Sequence, residues 1–505
     1  MAGNTVIERE VKLETPIGLA LPDLRHLVGG TVRLPEEHLV TQYFDTTDRR
    51  IWQQRMTLRH RGTGDGGDGT WTLKLPHTSE GEALQRTEVT WSGPSHEIPA
   101  DASNLLRGVV RREPLRQLTT LKTTRRRLML HDNQEHELAE LDDDLVLVVG
   151  GPRDGARFRQ VELELRDRTW SGDRVLRLLE RAGARVETQQ KLAKAIHLPE
   201  PPLSRDHPID HRSSLADVVR VSLRSGLDRL VAHDWQLRLA FPEPKARDIH
   251  QARVATRRLR SDLKSFGAVL DPFWLRHVRS DLKWLGGALG QLRDLDVLSD
   301  GLSDPPLAVR QRLAVQRVQA ARQLAEILAG ARYLDLLDRL HAAAELLPLA
   351  ATTDDDADRP AAEAMPPLVA ARWRAVRKQV RRAGPDPSAA QLHRIRIKSK
   401  QLRYAAEAAS PVIGKPARRL ASAAEHLQTV LGKHHDAVTA EAWLREEWIG
   451  DGSIGTPFVV TPSVSFEVGR LVAEVRRRQR RTRRDWPDEL ADLRKPKLRR
   501  WFHRH

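Results

Sequence analysis

Residues 249–264 read IHQARVATRRLRSDLK, and residues 392–403 read LHRIRIKSKQLR. At about 100° per residue on a helix, His250, Arg253, Arg257, Arg260 and Lys264 fall within roughly one quadrant. His393, Arg396, Lys400 and Arg403 repeat that spacing at an offset of 143 residues, while Leu259, Leu263 and Val269 supply apolar contacts elsewhere. A second motif follows each copy, LGQLRDLD at 289–296 and LGKHHDAV at 431–438, offset by 142. Asp294 matches Asp436, and Leu292-Arg293 is replaced by His434-His435. A period this long exceeds a solenoid unit and marks duplication of a small bundle. Two helices that each present a histidine and a row of cations predict one polyanion-binding surface built twice.

Outward from these copies, helical periodicity covers 215–240, 246–270, 274–289, 307–329, 333–345, 361–383, 389–409, 416–431, 437–447 and 466–484. The acidic, alanine-rich stretch 352–364 reads as an exposed connector between a first half, 215–350, and a second half, 361–505. Upstream, the proline-rich and polar run PEPPLSRDHPIDH at 199–211 marks a boundary. The expected domains are therefore 1–200 and 215–505, with a linker over 201–214.

The first domain has a different period. Residues 6–13, 52–61, 70–75, 86–91, 123–130, 135–141 and 159–165 alternate with period two, separated by turn clusters at 62–69 and 150–155. A helix fits 172–182. Many antiparallel strands at short spacing imply a barrel or sandwich, so the fold class is α+β multidomain: a β domain followed by an all-α domain. The second face of these strands carries charge. Glu8, Glu10 and Lys12 share one face, as do Arg59 and Arg61, Thr72 and Lys74, Arg86 and Glu88, Arg125 and Arg127, Glu140 and Asp142, and Glu162 and Glu164. Many of these pairs segregate by strand into acidic and basic sets, whereas a solvated face would mix signs along each strand. In a closed barrel that face is the lumen, where carboxylates suit a hard divalent cation and Arg or Lys suit phosphate oxygens.

The chain has 505 residues and no cysteine, which excludes disulfides, thiolate metal sites and cysteine nucleophiles. No run of about eighteen apolar residues occurs and the N-terminus lacks an apolar signal region, so a soluble cytoplasmic protein without membrane insertion is expected. Net charge is +16, unevenly placed: residues 1–200 hold 30 Lys and Arg against 31 Asp and Glu, and residues 201–505 hold 54 against 37. The excess lies wholly in the helical part and suggests a polyanionic partner there.

Glu8-Arg9-Glu10-Val11-Lys12 resembles the Glu-x-Glu-x-Lys signature that opens the CYTH, or triphosphate tunnel, domain. The order that follows is similar too: Tyr43-Phe44-Asp45-Thr46, Leu58-Arg59-His60-Arg61, Thr72-Leu73-Lys74, Arg86-Thr87-Glu88 and Glu162-Leu163-Glu164. The resemblance covers residues 1–200. It implies an eight-stranded antiparallel β tunnel with accessory helices that binds triphosphates with Mg²⁺ or Mn²⁺. Members hydrolyse inorganic triphosphate, thiamine triphosphate or RNA 5′ ends, and some cyclise ATP. On that resemblance Glu8, Glu10 and Lys12 serve catalysis; Glu8, Glu10, Glu162 and Glu164 carry metal, with Glu140 and Asp142 completing the acidic side. Arg59, Arg61, Lys74, Arg86, Arg125, Arg127 and Lys191 clamp the triphosphate. The implied chemistry is metal-assisted phosphoryl transfer to water, which needs positioning and charge neutralisation and no covalent nucleophile. The Ser-Lys of the family is Gln190-Lys191 here, and a tunnel that binds without turnover is the alternative expectation.

The doubled His-x-x-Arg-x-x-x-Arg/Lys helix with its Leu-Gly-x-x-x-Asp partner resembles the CHAD domain, over about 210–505. That implies two pseudo-symmetric four-helix bundles joined along a basic groove that binds inorganic polyphosphate. The groove set is His250, Arg253, Arg257, Arg260, Lys264, His393, Arg396, Lys400, Arg403, Lys433 and His434; of the adjacent His434 and His435, at most one faces it. The resemblance extends the expected location to polyphosphate-containing granules. His250 and His393 have no carboxylate or second histidine at i+4, so a phosphate contact or orienting hydrogen bond fits them better than metal. Asp294 and Asp436 read as structural partners of arginine or of a helix terminus. The Arg-rich runs 476–484 and 493–505 suit nonspecific attraction, with Trp486 and Trp501 as packing residues. No nucleic-acid motif or aromatic platform accompanies the cation rows, which disfavours nucleic acid.

Overall fold

The computed structural model describes residues 4–62, 68–76, 85–167, 169–187, 189–199, 201, 208–351, 354–448 and 461–503, excepting the side chains of 4–8, 85–86 and 354–355. The chain divides into two compact units, Met1–Ser204 and Arg205–His505.

The first unit contains β1 (Asn4–Glu14), β2 (Gly30–Arg33), β3 (Glu37–Asp45), α1 (Arg50–Gln53), β4 (Thr57–Gly62), β5 (Asp68–Pro76), β6 (Gln85–Pro94), α2 (Ala100–Val110), β7 (Arg116–His131), β8 (Glu137–Val149), β9 (Arg157–Leu165), α3 (Asp173–Arg181), β10 (Arg185–Glu187) and α4 (Lys191–Ile196). All pairings are antiparallel, and the order β1-β6-β5-β4-β3-β7-β8-β9 returns to β1, closing a ring of eight strands. β2 lies outside the ring on β7, and β10 continues the β6 edge of β1. Closure is achieved by splitting β1: residues 4–9 pair with β6, and residues 10–14 pair with β9.

The outward-facing residues Leu13, Leu141, Val161 and Leu163 are buried under Val175 and Leu179 of α3. On the inner face the polar run Asp142, Asp144 gives way to Val146 and Val148. These join Leu121 in a core with Leu192, Ala193 and Ile196 of α4. α4 thus stops one end of the tunnel with apolar side chains, and Lys191 stands at its first turn.

One expected strand differs. Residues 52–61 begin as α1, and the strand starts only at Thr57. The buried Asp45 carboxylate accepts the backbone N–H groups of Thr46 (2.7 Å), Ile51 (2.9 Å) and Trp52 (2.9 Å), which bends the chain into a turn before it can extend.

The second unit is helical: α5 (Leu215–Ala240), α6 (Ala246–Ser265), α7 (Pro272–Gly301), α8 (Leu307–Ala329), α9 (Ala331–Glu345), the short α10 (Asp354–Asp358), α11 (Ala361–Ala383), α12 (Ala389–Ile413), α13 (Lys415–Trp448) and α14 (Pro462–Leu493). Neighbours in sequence pack as α5–α6–α7–α8 and, in the second half, as α11–α12–α13–α14, with α9 laid against α5 and α7. Two helices expected at 416–431 and 437–447 are one continuous helix, α13, because residues 432–436 contain no proline and the buried stripe continues through Leu431, His434 and Ala437. The halves meet where α6 packs on α12 and α7 on α13. They also share a core of Leu298, Leu302, Val309 and Leu313 with Leu444, Val468 and Leu471. Trp486 and Trp501 are buried. Trp284 is half-buried beneath the Arg332 guanidinium, 4.3 Å from its ring centroid.

Asp262 sits buried on α6 with neither carboxylate oxygen hydrogen-bonded, 3.6 Å from Arg258. Burial, helped by Glu407 and opposed by Arg258, pushes its carboxyl up to about 7. A carboxyl raised on folding contributes stability that is full below the unfolded value and lost as pH climbs to the folded one. Between pH 4 and 7 that loss runs at about 1.4 kcal/mol per pH unit. Asp262→Asn is therefore expected to gain stability relative to the unsubstituted protein over this interval, measured by urea unfolding at each pH; a constant difference across the interval would contradict the assignment.

Candidate phosphate-binding sites

Alternation along the ring strands carries charged side chains to the lumen, and pairing register sorts them. On one side Glu10 stands opposite Glu164 and Lys12 opposite Glu162, and β8 adds Asp142 opposite Glu162 and Glu140 opposite Glu164. Across the lumen, Tyr43 stands opposite Arg59, and Thr57 opposite Lys74. Glu10, Lys12, Tyr43, Arg59, Arg61, Lys74, Arg125, Asp142, Glu162, Glu164 and Lys191 line a cavity of about 60 Å³, room for a few waters.

Internal cations hold the acidic wall. Lys191 Nζ lies 2.5 Å from Asp144 and 2.8 Å from Glu162. Arg125 is ion-paired with Asp142 and lies 2.7 Å from Asp144 and 3.6 Å from Glu162. Lys12 pairs with Glu10 at 2.7 Å, and Arg166 reaches Glu140 at 2.7 Å and Glu164 at 3.2 Å. Burial works against the Glu162 carboxylate, yet Lys191, Lys12 and Arg125 hold it well below its ordinary range. Asp142 goes the other way. Burial, with Asp144, Glu140 and Glu162, outweighs Arg125 and pushes it up to about 7, and its Oδ1 is buried without a hydrogen bond. The basic wall differs: among the described residues the hydrogen bond of Arg61 is to the Thr41 hydroxyl, at 3.4 Å. The charge of Arg59, then burial, then Arg125 lower it to about 10.

In the helical unit, α6 and α12 cross and bring the two histidine rows together. Arg253 reaches Asp294 at 2.6 Å. Arg257 and Arg396 are each pushed down by burial and by other cations of the cluster. Lys400 is lowered to about 6 by burial and by Arg396, Arg257 and Arg253. The ring of His393 lies 4.2 Å from that of His435, which burial, His393 and Arg396 take down to about 4. In the first half Arg293 bears on His250, at the position that His435 occupies in the second.

The sequence model of the CYTH domain matches residues 7–194, and that of the CHAD domain matches residues 221–445. The chain is a tandem CYTH–CHAD protein. An uncharacterized protein of Mycobacterium tuberculosis is 28% identical over 462 residues, covering 83% of this chain and 84% of the relative. Among solved structures, the CHAD domain from the plant Ricinus communis is 25% identical with a TM-score of 0.45, covering 57% of this chain and 94% of that one. A putative adenylyl cyclase from Hippeastrum, described as having a dominant triphosphatase activity, is 18% identical with a TM-score of 0.24, covering 37% and 94%.

In the CYTH domain, Glu10, Lys12, Arg59, Arg61, Lys74, Arg125, Glu162, Glu164 and Lys191 come together around one cavity. The side chains of Glu8 and Arg86 lie outside the described residues. Arg127 does not line that cavity; it reaches Glu37 at 2.5 Å and Glu140 at 3.6 Å. Asp144 was not among the expected residues, although it lies two positions beyond Asp142 on the same face. Among the described residues no three carboxylates form a metal-binding group.

In the CHAD domain, His250, Arg253, Arg257, His393, Arg396 and Lys400 gather in one cluster where α6 meets α12. Arg260 and Lys264 lie further along α6 beside Arg279, and two other expected members are placed elsewhere. His434 is buried against α14, its Nδ1 3.1 Å from the Thr482 hydroxyl, and the groove position belongs to His435. Arg403 is taken by Glu407 at 2.7 Å and Glu425 at 2.9 Å, which raise it against burial. Lys433 is exposed. Asp294 is an arginine partner, as expected. Arg293 was legible only by carrying the 142-residue offset back from His435.

Proposed function

We propose that the protein binds inorganic polyphosphate in the CHAD groove and hydrolyses a triphosphate in the CYTH tunnel. The observation that carries this reading is the collection, in each unit, of half-buried cations set beside like charges: Arg61 lowered by Arg59, and Lys400 lowered by Arg396 and Arg257. Gathering like charges in a poorly hydrated place is unfavourable for the protein alone and favourable once a polyanion is present.

The oxygen-only donor set of the acidic wall, with the unpartnered Asp142 Oδ1 beside Glu162, fits a hard divalent ion such as Mg²⁺ or Mn²⁺. Glu10, Glu162 and Glu164, with Glu8, would hold it, and when bound it supplies neutralisation of phosphate charge. Arg59, Arg61 and Lys74 receive phosphate oxygens from the opposite wall. Because the cavity is small, ligands enter by exchange: Arg125 and Lys191 turn from carboxylates to phosphate. Asp142, whose carboxyl burial pushes up, takes the proton of the attacking water. On this reading the protein works in the cytoplasm, at polyphosphate-containing granules; among the described residues no helix is long and apolar enough to cross a membrane.

A second reading has specific support. The ion pairs of Lys191 and Arg125 already neutralise the acidic wall, which suits a tunnel that binds without turnover. A phosphate-release panel with tripolyphosphate, ATP, thiamine triphosphate and long-chain polyphosphate, each with Mg²⁺ and Mn²⁺, separates the two. Release from at least one triphosphate is expected; none from any, alongside measurable binding, selects the non-catalytic tunnel.

A further inference from the structure

The duplication that builds the groove is broken at its ends. The sequence offset of 143 pairs Lys264 with Glu407, and the offset of 142 pairs Lys283 with Glu425. Charge is reversed at both. At the second-half end, Glu407 and Glu425 neutralise Arg403, and Glu407 also reaches Arg258 at 3.2 Å. At the first-half end the corresponding Arg260 has no carboxylate partner among the described residues. Instead four helices converge there with cations: Arg260 and Lys264 from α6, Arg279 from α7, Arg372 from α11 and Lys398 from α12.

Their proximity shows in several ways. Arg372 Nη2 donates to the Lys264 carbonyl at 2.8 Å. After burial, the charge acting on both Arg260 and Arg372 is Arg279, another cation. After burial, Lys264 is pushed down by Lys398, Arg372, Arg279 and Arg260. The Nε atoms of Arg279 and Arg372 are buried without a hydrogen bond. Among the described residues none of these five side chains has an ion-pair partner, although the surrounding surface is rich in ion pairs.

We propose that this cluster is a second anion subsite, continuous with the central groove on one side only, so that the domain holds an extended polyphosphate with fixed direction and prefers long chains to short ones. The inference rests on the groove reading above and deepens it. A chain of only a few phosphates is satisfied by Arg257, Arg396 and Lys400. A longer chain extends over Arg279 and Lys398 and is turned away from the other end by Glu407 and Glu425.

The test compares the full-length protein with Arg279→Gln/Lys398→Gln, with Arg310→Gln/Arg322→Gln as a charge-matched control at exposed positions of α8, and with Arg257→Gln/Arg396→Gln. Long-chain polyphosphate is titrated directly, and tripolyphosphate is measured as its competitor so that occupancy of the tunnel does not register. The subsite variant is expected to lose about tenfold in affinity for the long chain and to flatten its log–log salt dependence by roughly 0.7 per cation removed. Its competition by tripolyphosphate, and the control variant, stay unchanged. Equal loss for short and long chains, or no more loss than the control, overturns the subsite while leaving the groove. No loss in Arg257→Gln/Arg396→Gln, or no polyphosphate binding by the unsubstituted protein, overturns the groove and the subsite together.

Discussion

Arg61→Ala is expected to lower kcat/KM for the triphosphate substrate of the tunnel by about a thousandfold, the scale of losing a preorganised donor at developing negative charge. Arg61 sits among like charges: Arg59 and Arg125 act against it more than Tyr43 and Asp144 act for it, and its hydrogen bond is to a threonine hydroxyl. Removing it relieves repulsion, so thermal stability should hold or rise while activity falls. That combination distinguishes a phosphate ligand from a structural cation. A matched loss of stability and activity, or unchanged kcat/KM, would remove Arg61 from the site. Phosphate release at several substrate concentrations, with a melting curve for each variant, reads both.

The companion result concerns the groove. Arg257→Ala with Arg396→Ala should weaken long-chain polyphosphate binding by roughly a hundredfold or more, since each substitution deletes a charge-assisted contact in a partly desolvated place. Affinity should also depend on pH in a defined direction. Lys400 titrates near 6 in the free protein, and a bound polyanion favours its charged form. Binding therefore takes up a proton above pH 6, and affinity strengthens as pH falls from 8 towards 6, then levels. Lys400→Ala should flatten that profile. A pH-independent affinity in the unsubstituted protein would mean that the polymer does not reach Lys400.

The two units were legible to different depths. Period two along the first 200 residues placed Glu10, Lys12, Arg59, Arg61 and Glu162 on one face, and a face is what register preserves, so their convergence followed from alternation alone. Alternation says nothing about who pairs with whom. The seizure of Asp144 and Glu162 by Lys191 depends on α4 turning back into the barrel end, a tertiary event with no local signature. The Asp45 turn was hidden because its three amide partners come from residues that themselves look extended. In the helical unit the duplication gave the groove, but it also suggested too much symmetry. Arg403 matches Arg260 in sequence and differs from it in surroundings, because Glu407 and Glu425 replace lysines. His434 and His435 were separable only by which face of α13 meets α14.

The divided first strand has a consequence for how the tunnel comes into being. β1 holds β6 with one half and β9 with the other, so its pairing joins residues far apart in sequence, and the entropy of closing such loops is met before the contacts repay it. The ring therefore cannot lock until β9 has emerged and folded back, and Glu10 and Lys12 face Glu164 and Glu162 only from that moment. Refolding of this unit should be slow beside that of the helical one, with its local helix pairs. Phosphate-releasing activity should return with the slowest phase rather than with the bulk of secondary structure.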